Sequence, residues 1–146
     1  MKTSTQSLPT KGTGFMKGTV IGGPMPGNAF DTHVVAIYDE QPIGVLPYWA
    51  IVGVQDDPFP PIPNSIVILI DQDVPGKKFN LKGNTKVRVT FSRKDHFGFA
   101  FSISGHLTFT SLPKTGHAVG ILDCLVQKND EMPFSIKVKF DVHDRV

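Results

Sequence analysis

The chain has 146 residues, 40% of them hydrophobic, and a formal net charge of +2, which is one domain's length with apolar surface enough for one core. No apolar run approaches the ~18 residues of a membrane-spanning helix, the start from Met1 to Ser7 has no apolar signal core, and neither end carries a lipidation motif. The single cysteine, Cys124, excludes an internal disulfide framework; with no Asn-x-Ser/Thr acceptor, it points to a reducing location, in the cytoplasm or within an assembled particle.

In chain order, residues 1–13 are polar, contain Pro9 and Gly12, and read as an N-terminal arm; residues 14–146 read as a single β domain. Strands are expected at Phe15–Ile21 and His33–Tyr38, with one or two more in Ile43–Val54, interrupted at Pro47. The run from Asp57 to Pro63 holds too many prolines for a central strand, because proline lacks the ladder donor. Its PxxP spacing suits a polyproline ligand, but the simpler reading is a crossover packed down by Phe59 and Ile62. Ser65–Ile70 is a strand. Val74-Pro75-Gly76-Lys77 reads as a type II turn, with glycine taking the positive φ. Phe79–Leu81, Lys86–Phe91, Phe97–Ile103, Leu107–Ser111, His117–Val126 and Phe134–Val142 complete the set. Ser104-Gly105 reads as a hairpin, and a loop of about three or five residues keeps Ile103 opposite Leu107 and Phe101 opposite Phe109.

No window shows helical periodicity, so no substantial helix is expected. Nine or ten short strands imply an all-β antiparallel fold: a two-sheet sandwich of jelly-roll or immunoglobulin type, with a closed β-barrel as the alternative. Ile43–Val54 and His117–Val126 are apolar on both faces, as doubly covered strands are. Lys86–Phe91 alternates, with Val87, Val89 and Phe91 inward. Phe134–Val142 does the same, with Lys137 and Lys139 outward.

Reactive constellations are absent from the pattern. His33, His96, His106, His117 and His143 are scattered without metal-ligand spacing, so neither a metal nor another cofactor is expected. Asp71-Gln72-Asp73 opens like a calcium loop, but Lys82 stands where a bidentate glutamate is required. Cys124 reads as a buried, inert thiol, and Asp123 beside it marks a bulge or an uncovered face. There is no serine-nucleophile elbow or phosphate-binding glycine loop, so no catalytic residue is assigned and the chain is read as non-enzymatic. Tyr48 and Trp49 would suit a ligand pocket, although one Trp in an apolar run is more often core.

Charge is distributed unevenly. Residues 1–73 carry a net −4 and residues 74–146 a net +6. Between Lys77 and Lys94 lie seven basic residues and no acid: Lys77, Lys78, Lys82, Lys86, Arg88, Arg93 and Lys94. Phenylalanines interleave at 79, 91, 97, 99 and 101. Cations along a backbone together with aromatic platforms are what single-stranded nucleic-acid binding uses. The segment Phe91-Ser92-Arg93-Lys94-Asp95-His96-Phe97-Gly98-Phe99 resembles the core of cold-shock domains, in Phe91, Phe97, Gly98 and Phe99; it departs at Asp95 and His96, where that family has lysine and glycine. The resemblance is confined to these residues and implies an OB-type barrel with exposed Phe97 and Phe99. Against it, Phe97, Phe99, Phe101 and Ile103 share one face at period two, the usual mark of a core stripe.

Two functions follow. The first is a non-catalytic structural, assembly or protein-interaction module, self-associating or bound to a protein partner. The alternative is a nucleic-acid binder using the 77–101 stretch, with Phe97, Phe99, Lys137 and Lys139 in the interface.

Overall fold

The structure is a computed structural model that describes residues 12–144; the expected arm lies outside the described residues up to residue 11. Ten strands carry the fold: β1 (Gly12–Ile21), β2 (Ala29–Thr32), β3 (Val35–Glu40), β4 (Tyr48–Asp56), β5 (Pro63–Asp71), β6 (Lys78–Asn80), β7 (Val87–Arg93), β8 (Gly98–Ser111), β9 (His117–Gln127) and β10 (Phe134–Asp144). The helical content among the described residues is one 3-10 turn at Pro113–Thr115, and no helix there is long and apolar enough to cross a membrane.

All ten strands join one antiparallel sheet, in the order β2-β1-β10-β9-β8-β7-β5-β4-β3, with β6 paired to β8. β7 pairs with residues 98–101 of β8 and β6 with residues 106–108. The two therefore act as one interrupted strand along the same side of β8. The sheet rolls until its first and last strands nearly meet. Gln55, near the end of β4, donates to the Ala29 carbonyl (3.0 Å) and accepts from the Asp31 N–H (2.5 Å), so one side-chain amide replaces a stretch of ladder. Thr32 Oγ1 donates to the Val54 carbonyl (2.5 Å) at the same seam. The all-β antiparallel expectation holds, and of the two packings weighed the sheet takes the one rolled toward a barrel.

The interior follows from alternation. Val87, Val89 and Phe91 of β7 are fully buried, and Phe134, Ile136, Val138, Phe140 and Val142 of β10 face the same core. Phe91, Phe97 and Phe134 meet edge to face with ring centroids 5.4–6.1 Å apart, a geometry that aligns positive ring edges with negative faces. Gly76 takes the expected positive φ (+98°), but the hydrogen-bonded turn lies earlier, from the Val74 N–H to the Asp71 carbonyl (3.3 Å).

Several expectations are corrected. β2 was not foreseen, and residues 43–46 are an exposed turn rather than strand, which leaves Ile43 fully exposed. β9 is not covered on both faces: Ile121 and Leu125 point to solvent alongside Asp123. Phe59 does not pack its proline segment down; it is 89% exposed.

The largest correction concerns β8. No hairpin forms at Ser104-Gly105, and the chain runs through as one strand. Ser102 faces Val126 while Ser104 faces Leu125, so Ile103 is an extra residue in a β-bulge. Gly105 has φ +120°, and a Cβ there would collide with the Asp123 carbonyl. One inserted residue reverses the parity of a strand. After the bulge Leu107 and Phe109 point inward; before it Ala100 does, and Phe99, Phe101 and Ile103 point out. The core-stripe reading of those three residues is therefore overturned. A physical reason is visible across the ladder: Ala100 sits opposite Phe91, whose ring and that of Phe134 already occupy the space beneath.

Candidate binding face

Outside the barrel, the register assembles one continuous face from β5, β7, β8 and β9. Ser92 of β7 lies opposite Phe99, and Thr90, itself opposite Val67 of β5, lies opposite Phe101. On the other side Phe101 faces Gln127, and Leu125 follows beyond the bulge. Phe99 is 59% and Phe101 58% exposed, and their rings lie nearly parallel (17°) with centroids 6.5 Å apart. Ile103 and Leu125, 39% and 40% exposed, extend the apolar strip. An open groove of about 570 Å³ runs beside Phe99, bounded by Ser65, Ser92, Lys94 and Asp95.

The cations divide into groups. Arg88 is exposed on β7, the strand next to the strip. Lys94 is exposed at the groove. Lys78 on β6 and Lys82 and Lys86 in the following loop are exposed further along the same side of β8. Lys77 is exposed and reaches the Thr110 carbonyl (3.4 Å). Lys137 and Lys139 are exposed on β10, beyond β9, with Lys137 paired to Asp123 in the register. Arg93 is not available: its guanidinium pairs with Asp57 (2.9 Å) and Asp95 (2.7 Å) and donates to Asn64 (3.0 Å), and its side chain is 10% exposed. Hydrogen bonding to Asp57 holds its pKa above the ordinary arginine value. Asp95 is held below the usual carboxylate range, chiefly by the Phe97 N–H it accepts (2.8 Å) and further by Arg93.

The cold-shock likeness does not carry its geometry. Phe91 is fully buried, and Phe97 is half-buried against the core under the Lys128 ammonium, 4.8 Å from its ring centre. Of the sequence-derived aromatic pair, only Phe99 faces solvent; its exposed companion is Phe101.

Other candidates resolve simply. Burial, aided by the Asp123 charge, pushes the Cys124 thiol up to about 12. Trp49 packs on the core, and the crevice beside it holds only about 50 Å³, room for a water or two rather than a ligand. Spacing along the chain gave no sign that His117 and His143 meet, yet the register sets them directly opposite each other on β9 and β10. Compared with known proteins, the chain matches no family model, no curated protein and no solved structure.

Proposed function

We propose that the chain is a non-catalytic protein-interaction module that self-associates through the outer face around Phe99 and Phe101. The observation that carries this reading is the strip of four large apolar side chains, Phe99, Phe101, Ile103 and Leu125, turned to solvent side by side. Folded chains rarely leave such strips uncovered without a partner. Aromatic and arginine side chains at the centre, with charge confined to the rim, are the composition of protein-interface cores. Arg88 flanks the strip on β7, while the lysines of β6 and β10 lie outside it.

A second reading, single-stranded nucleic-acid binding, is favoured by one feature: two parallel, exposed phenylalanine rings with Lys94 at the adjoining groove offer stacking platforms. One set of samples separates the two. Wild-type protein and the double variant F99S/F101S are compared by size-exclusion with light scattering over a wide concentration range, and each is titrated with a fluorescent oligonucleotide at low salt. Self-association supports the proposal if wild type exceeds monomer mass and the variant stays monomeric. A monomeric wild type that binds the oligonucleotide, with affinity falling at a log–log salt slope of about −0.7 per phosphate contact, would replace it with the second reading.

A further inference from the structure

At the end of β9 and β10 away from the Phe99–Leu125 strip, the fold gathers a second set of side chains. His117 and His143 are direct cross-strand partners, and Asp141 lies two residues before His143 on the same outer face. His117 Nε2 is 2.7 Å and His143 Nε2 3.6 Å from the same atom, Asp141 Oδ1. The two imidazoles are stacked, with centroids 3.7 Å apart and planes within 17°. Both rings thus turn the same nitrogen edge toward one carboxylate. The three donor atoms all lie within 4.8 Å of one another, and all three side chains are open to solvent, at 38%, 39% and 52% exposure.

We propose that His117, Asp141 and His143 form a binding site for a divalent first-row transition ion, with Zn²⁺ the expected occupant. Two neutral imidazoles and a carboxylate are borderline donors suited to that class of ion rather than to calcium or magnesium. Donors at about 2.0–2.1 Å in tetrahedral array stand about 3.3 Å apart. The two His–Asp separations, 2.7 and 3.6 Å, bracket that spacing, and rotating the imidazoles out of their stack, so that both ring planes point at one ion, converts the cluster into a three-donor site. The ion takes the place of the proton that His117 and Asp141 share in the cluster. The backbone beneath is regular ladder: β10 is paired on both sides at these rows, with Thr13 opposite His143 and Phe15 opposite Asp141 on β1. Asp141 and His143 are therefore mounted on a support paired on both sides, and three protein ligands leave a position for water or for a donor from another molecule.

The test uses untagged protein. Zn²⁺ is titrated by calorimetry and Co²⁺ by visible absorption, on wild type, D141N, H143Q and, as a control, H106Q, whose histidine is exposed on β8. Wild type and H106Q are expected to bind one equivalent, and D141N and H143Q to bind at least about tenfold more weakly. Side-chain NMR of wild type provides a readout independent of any variant's folding, with Zn²⁺ shifting the His117 and His143 imidazole signals first. Absence of stoichiometric binding by wild type, equal binding by all four proteins, or Zn²⁺ shifts centred on other histidines would each overturn the site and leave only a His117–Asp141 hydrogen bond with His143 stacked on it.

Discussion

Arg93 ties together the proline-bearing end of the barrel. It joins Asp57 before the proline run, Asn64 at the start of β5 and Asp95 in the β7–β8 turn. Asp57 is buried and also accepts from Asn64 Nδ2 (2.8 Å). Removing the guanidinium would leave that carboxylate buried and unpaired, so Arg93→Met is expected to cost about 3–5 kcal/mol in chemical denaturation, with part recovered in R93M/D57L. Asp95 adds a pH signature. Its pKa is depressed in the fold, so its stabilisation is fully present above the ordinary carboxylate value and is lost as pH falls through the lowered one. Asp95→Asn should flatten the acid limb of the stability profile, read from denaturant midpoints against pH. Cys124, with its thiol pushed up to about 12, is expected to resist alkylation in native protein at neutral pH and to react at an ordinary rate once denaturant is added.

At the scale of elements, β8 shows what a sequence hides. Apolar residues occupy 97, 99, 101, 103, 107 and 109, all odd positions, so alternation alone predicts one continuous inward face. A single extra residue at Ile103 reverses the parity, and neither the bulge nor the positive φ of Gly105 announces itself in composition, since serine and glycine serve hairpins equally well. Strands β5, β7 and β10 were legible because they carry no such defect. β2 was missed because it spans only Ala29–Thr32 and includes Asp31, and because its ladder is completed partly by the side chain of Gln55, a partner 24 residues away. Two variants probe these devices. Gly105→Ala forces a Cβ against the Asp123 carbonyl at a positive φ and is expected to lower stability by about 1–3 kcal/mol. Gln55→Leu removes both of that side chain's bonds at the seam and should cost about 1–2 kcal/mol, with amide exchange accelerated at Asp31 and its β2 neighbours before the rest of the sheet.

For the whole molecule, the strand pattern and the lack of helical periodicity in the sequence were enough to give the class of fold. The path of the sheet was not, because which edges meet is decided by side-chain bonds such as Gln55 to Ala29 that no periodicity encodes. The same limit applied to the outer surface. The basic run from Lys77 to Lys94 looked like one patch, yet the fold turns Arg93 into a buried ion pair and spreads the remaining cations along β6, its loop and β7. What the register concentrates instead is apolar: Phe99, Phe101, Ile103 and Leu125. The central claim is that this strip is a contact surface between copies of the chain. A dilution series followed by ¹⁵N–¹H correlation spectra tests it most directly. The amides of residues 98–104 and 124–126 should shift together as concentration rises, and should stay fixed in F99S/F101S. Spectra that do not change with concentration, or changes centred on another surface, would contradict it.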